Sequence, residues 1–181
     1  MTPLLLAGCL LTSPPAPAKT ILYTLVSYHE GRYRVVFDVI IDAQHQRVRE
    51  VMADYEGWSR LSPVIEEVRR ITVNDNGSET IRMSLHLCLW IYCKDLVKTG
   101  ELVVRGNGDI VVTGLPAQSD FRYTNEHWRT QPVEDRTRVK YQAELEPDFF
   151  VPPLIGPLYL KSRIRRELDA TMLRLEQLAA Q

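Results

Sequence analysis

Apolar residues alternate with polar ones from Tyr33 to Asp42, where Val35, Phe37, Val39 and Ile41 share one face, so the spacing predicts a strand. A different period follows. Val48, Val51, Met52 and Tyr55 recur at steps of three and four, which predicts a helix over Gln44–Tyr55. Gly57 breaks it, and Trp58 to Pro63 reads as a short second helical turn stopped by the proline. From Val64 the period returns to two. Ile65–Val73 leads into Asn74-Asp75-Asn76-Gly77, a strong hairpin signal, and Thr80 to about Tyr92 then places Ile81, Met83, Leu85, Leu87 and Leu89 on one face. Val97–Arg105 and Asp109–Thr113 flank the turn residues Gly106-Asn107-Gly108, and Leu115-Pro116-Ala117-Gln118 interrupts the run. Phe121–Thr130 and Thr137–Glu146 form the last pair, joined around Glu134-Asp135. In the final strand Val139, Tyr141, Ala143 and Leu145 alternate with charged or polar neighbours, the signature of a sheet with one wet face. Ahead of all this, Ile21–Val26 reads as a short strand or extended segment before a turn-like Tyr28-His29-Glu30-Gly31.

The chain ends on a long amphipathic helix. Pro147, Pro152, Pro153 and Pro157 keep its approach non-helical, and beyond Pro157 there is neither proline nor glycine. Leu160, Ile164, Leu168, Thr171, Met172, Leu175, Leu178 and Ala179 form one stripe over about six turns. The opposite face carries Lys161, Arg163, Arg165, Arg166, Glu167, Asp169, Arg174 and Glu176. Burying each apolar side chain contributes roughly 1.5–3 kcal/mol, so the stripe requires a large apolar surface. A curved antiparallel sheet supplies one. The expected fold class is therefore α+β, with six to seven strands gripping the terminal helix and two short helices after the first strand.

Composition narrows the function without naming it. The 181 residues are 45% hydrophobic and 25% charged, proportions of one globular domain. The formal net charge of −1 disfavours a non-specific nucleic-acid binder. Residues 1–18, MTPLLLAGCLLTSPPAPA, join a short apolar run to Ala16-Pro17-Ala18 and read as an export signal with an A-x-A site before Lys19. Leu6-Ala7-Gly8-Cys9 also resembles a lipoprotein signal, in which Cys9 is acylated. Either reading places the domain in the periplasm, an oxidising compartment. Residues 19–32 are then an extension and 33–181 the domain.

Chemical motifs are sparse. The chain contains no G-x-S-x-G elbow, H-E-x-x-H, P-loop or G-x-G-x-x-G, and its four histidines are scattered. His86, Cys88 and Cys93 match no standard zinc spacing, so neither a metal nor a cofactor is expected. Cys88 and Cys93, five apart, point to opposite faces of a continuous strand; a bulge or turn within Leu89-Trp90-Ile91-Tyr92 would let them bridge. Asp120 and Arg122 share one strand face and Phe121 and Tyr123 the other, so only one pair faces inward unless a bulge intervenes.

Three stretches carry a family resemblance: VFDVIIDAQHQRVREVMADYEGWSRLSPVIEEVRRI, LPAQSDFRYTNEHW and EPDFFVPPLIGPLYLKSRIRRELDATMLRLEQLA. With the order of elements, they make residues 33–178 resemble the START-like, or SRPBCC, superfamily, within it the polyketide cyclase/dehydrase and lipid-transport group. The resemblance implies a helix-grip fold enclosing an apolar cavity that binds a lipid, sterol, quinone or polyketide-like molecule. The inward residues expected to touch it are Trp58, Ile81, Met83, Leu85, Phe121, Tyr123, Tyr141, Leu158 and Met172. The apolar run Phe149–Ile155 beside Lys161, Arg163, Arg165 and Arg166 suits peripheral contact with an anionic membrane. The alternative is a cyclase or dehydratase, with Tyr123, Tyr141, Asp120 or His127 as proton-transfer group. A third reading is a protein-interaction module that uses a sheet edge.

Overall fold

A computed structural model describes residues 19–89, 92–151 and 156–181. The candidate export signal in residues 1–18, with Cys9, lies outside them, as do Trp90, Ile91 and residues 152–155 of the apolar run. The described residues form β1 (Thr20–His29), β2 (Arg32–Ile41), α1 (His45–Ala53), a 3-10 helix (Tyr55–Arg60) and β3 (Ile65–Val73). There follow β4 (Glu79–Leu89), β5 (Tyr92–Val104), β6 (Ile110–Gly114), a 3-10 turn (Pro116–Gln118), β7 (Phe121–Val133), β8 (Arg136–Pro147) and α2 (Gly156–Ala179). One antiparallel sheet of eight strands contains them in the order β1-β2-β8-β7-β6-β5-β4-β3. This is the helix-grip architecture expected, with one strand more.

The extra strand comes from the segment before Tyr33. Glu30 at φ 47° and Gly31 at φ 86° form a two-residue left-handed turn, the backbone that matches the twist of a tight hairpin. Residues 19–32 thus contribute an edge strand of the sheet rather than a separate lead-in, and the two short helices follow the second strand, not the first. Tyr28 and Tyr33 pack across this hairpin with ring centroids 4.8 Å apart.

The strand faces divide as the period of two requires. Val35, Phe37, Val39, Ile41, Ile81, Met83, Val112 and Val139 are all within 1% of complete burial. Helix α2 lies over this face, approaching β1, β2 and β4 along its length and α1 at its side. Leu160, Leu168, Thr171, Met172, Leu175 and Ala179 are its buried residues from the predicted stripe. Two polar ties fix its placement. Ser62 donates to Glu167 at 2.6 Å, and the Asp42 amide donates to Glu176 at 3.0 Å. Glu176, placed on the wet face by the sequence, is in fact buried, because the end of β2 presents an amide that needs an acceptor there.

Phe37→Ala should lower the unfolding free energy by about 3–5 kcal/mol, read from a denaturant midpoint. Burial, with the charge of Tyr28 behind it, pushes the Tyr33 pKa up to about 12. Its folded value lies above the unfolded one, so the stability it contributes is complete below about pH 10 and lost as pH rises through about 12. Tyr33→Phe should make the alkaline fall in denaturation midpoint less steep; an unchanged slope would contradict this.

A cavity under the terminal helix

The sheet curves more than one helix can fill. Between α2 and the strands is a cavity of about 210 Å³, walled by Val35, Met52, Trp58, Leu61, Leu85 and Tyr141 among others, with Leu168, Met172 and Leu175 as its roof. A second cavity of about 140 Å³, lined by Tyr33, Leu87, Leu96, Phe121, Phe149 and Leu160, adjoins it. Val64, Leu85, Leu145, Ile164 and Glu167 line both, so the two spaces, a main lobe and a second lobe, adjoin across a shared set of side chains.

One wall of the main lobe is polar. Lys98 of β5 forms an ion pair with Glu126 of β7, their side chains only 11% and 6% exposed. The Tyr141 hydroxyl donates to the other Glu126 oxygen at 3.0 Å, and its ring packs on Trp128 with centroids 4.1 Å apart. Burial first, then the neighbouring Glu126 charge, holds the Tyr141 pKa well above the usual phenol range, so this group is a neutral donor at ordinary pH. The Trp128 Nε1–H is buried without a partner among the described residues. Gly100 and Gly114 are cross-strand partners, and a Cβ at Gly114 would stand 2.3 Å from the Thr124 hydroxyl, so the strands approach closely there.

Of the nine expected lining residues, Trp58, Leu85, Tyr141 and Met172 meet in the main lobe and Phe121 lines the second. Ile81 and Met83 are buried in the core but are not part of either wall. Leu158 and Tyr123 do not face inward at all. Leu158 is 68% exposed, since it lies off the helix stripe that faces the sheet. Tyr123 packs outside under the Arg32 guanidinium at 4.4 Å, because β7 is bulged between Phe121 and Tyr123 and the two no longer share a face. Asp120 accepts the Val97 amide at 2.7 Å, and Arg122 pairs with Asp148 at 2.7 Å. His127 bonds Asp109 at 3.2 Å and borders a polar groove apart from the cavity. Among the four candidate proton-transfer groups, Tyr141 alone reaches the cavity.

Sequence reading missed Lys98, Glu126 and Trp128. A signal was present: Lys98 is in phase with the buried Leu96 and Leu102, and Glu126 with Thr124 and Thr130. A charged residue in an apolar phase is worth singling out, because its burial demands a partner.

A family profile described as polyketide cyclase/dehydrase and lipid transport matches residues 32–180. No curated protein matches the chain. Among solved structures, the Zhui aromatase/cyclase from Streptomyces sp. R1128 superposes with a TM-score of 0.67 at 17% identity, covering 82% of this chain and 94% of that one. A START superfamily protein from Mycobacterium smegmatis gives 0.64 at 17% identity, covering 80% and 98%. A STAR-related lipid transfer protein from Xanthomonas axonopodis gives 0.57 at 16% identity, covering 84% and 98%. At such identities these likenesses establish the shared fold.

Glu126→Ala leaves a largely buried ammonium unpaired and should cost about 3–5 kcal/mol, whereas the double change Lys98→Met with Glu126→Leu should recover most of that loss. Equal losses in the single and double variants, measured by urea unfolding, would show that the ion pair is not what the cavity wall depends on.

Proposed function

The chain belongs to the polyketide cyclase/dehydrase and lipid transport family, and on that premise we propose that it binds one elongated apolar molecule with a polar end beneath α2. The observation that carries this reading is a largely hydrocarbon-walled cavity with the Lys98–Glu126–Tyr141 cluster in one wall and the Ser62–Glu167 pair at the helix side. Each lobe is smaller than the roughly 300 Å³ at which ligand pockets begin, so a guest of useful size spans both. Its tail occupies the second lobe between Phe121, Phe149 and Leu160. Its polar end lies near the Lys98–Glu126–Tyr141 cluster, the charged part of the main lobe's wall. Binding removes apolar surface from water, and the polar group sets direction at little cost in affinity.

Exchange at a membrane surface belongs to the same proposal. Phe150 and Leu158 are 76% and 68% exposed, and Lys161 and Arg165 follow Leu158 on one helical face at steps of three and four. Apolar groups beside cations suit an anionic bilayer. A second reading, an acid–base enzyme acting on a polyketide-like guest, is favoured by the Tyr141–Glu126–Lys98 cluster in the same wall. The presence of a cavity weighs against a module that works by its sheet edge.

Native mass spectrometry of the purified protein should show a co-bound apolar molecule, or uptake of a fluorescent lipid. Leu168→Trp fills the roof of the main lobe and should raise the lipid Kd at least ~10-fold, a change of about 1.4 kcal/mol, while circular dichroism stays native. No guest and no lipid uptake by the wild type would overturn the proposal. Glu126→Gln separates the two readings: a carrier keeps its guest with altered affinity, whereas an enzyme binds the guest and loses turnover.

A further inference from the structure

The hairpin of β4 and β5 carries chemistry on its outer face that the cavity does not use. Cys88 and Cys93 are cross-strand partners and form a disulfide. His86 and Asp95 are the next such pair in the same phase, while Leu87 and Leu96 face inward to the second lobe. His86 Nδ1 lies 2.6 Å from an Asp95 carboxylate oxygen, and Nε2 lies 3.4 Å from the Cys88 sulfur. The donor atoms of His86, Cys88 and Cys93 all fall within 4.8 Å of one another, and Glu66 forms a second such group with His86 and Asp95. Read along the chain this spacing matches no zinc pattern; across the hairpin it becomes one cluster.

We propose that reduction of the Cys88–Cys93 disulfide converts this face into a site for a thiophilic divalent cation of the zinc type. Two thiolates and His86 Nε2 bind the ion, and Glu66 or a water completes the shell. Asp95 is a positioning residue: by accepting the Nδ1–H it fixes the tautomer that points Nε2 at the metal. A dithiol reductant supplies two electrons and two protons, the S–S bond breaks, two thiols form, and the reductant leaves as its own disulfide. Metal binding then makes two metal–sulfur bonds and releases the two thiol protons to solvent. Tetrahedral zinc, with bonds of about 2.3 Å to sulfur and 2.0–2.1 Å to nitrogen, sets donor atoms roughly 3.5–3.8 Å apart. The Cys88–His86 separation is already close to that, and once the bond is broken side-chain rotation brings the second sulfur to the same spacing. Disulfide and metal use the same sulfurs and exclude each other, so thiol redox state decides whether the ion is held.

The test uses full-length protein in a Cys9→Ser background, reduced with a phosphine and titrated with cobalt(II). Expected are one equivalent of cobalt, thiolate-to-metal charge-transfer absorption, displacement of cobalt by zinc, and no such absorption in the oxidised protein. Asp95→Asn should weaken binding about 10–100-fold while keeping the charge-transfer spectrum, a combination that a merely structural role does not give. Reduced protein that is folded by circular dichroism yet binds cobalt no better than Cys88→Ser/Cys93→Ser would overturn the proposal. Reduction that unfolds the chain without rescue by zinc would do the same.

Discussion

Helix α2 rests on the flanks of a sheet too curved for it to fill. It approaches β1 and β2 on one side and β4 on the other, while residues of β8, β7 and β5 form the wall beneath. Polar ties hold it in that position: Lys19 to Asp169 at 3.0 Å, Ser62 to Glu167, and the Asp42 amide to Glu176. Side chains that face this space give up contacts that a close-packed interior would supply, so a guest of the proposed kind would stabilise the folded chain as it binds.

The polar wall has a cost of its own. Lys98 and Glu126 give up hydration, and among the described residues their mutual contact and the Tyr141 hydroxyl repay it. For a guest of the proposed kind, such a cluster would set direction inside a largely hydrocarbon space. It also holds a neutral phenol that donates to a carboxylate. A family whose description spans both cyclisation and lipid transport is intelligible on these terms, because carrying and transforming a guest begin from the same walls.

The two faces of the sheet are chemically independent. Strands β4 and β5 send Leu85, Leu87 and Leu96 into the lobes and His86, Cys88, Cys93 and Asp95 to the outside. Alternation along a strand keeps the apolar cavity and the disulfide–imidazole cluster within a few residues of each other on opposite faces.

Periodicity alone determined most of the architecture: the strands from Tyr33 onward, the helix over His45–Ala53, the hairpin at Asn74–Gly77 and the stripe of α2. These are local consequences of which side must leave water. The family resemblance put Trp58, Leu85, Tyr141 and Met172 among the inward residues, and these four line the main lobe. Tertiary structure decided what depends on neighbours distant in the chain. The bulge between Phe121 and Tyr123 turned one inward and the other outward. Register across β4 and β5 joined two cysteines that one continuous strand would have kept apart. Lys98 and Glu126 went inside as partners 28 residues apart, and Glu176 went inside with one oxygen accepting the amide of Asp42, 134 residues away. Apolar burial is written into sequence spacing because each side chain answers to water by itself, whereas a buried charge answers to a partner that only the folded chain supplies.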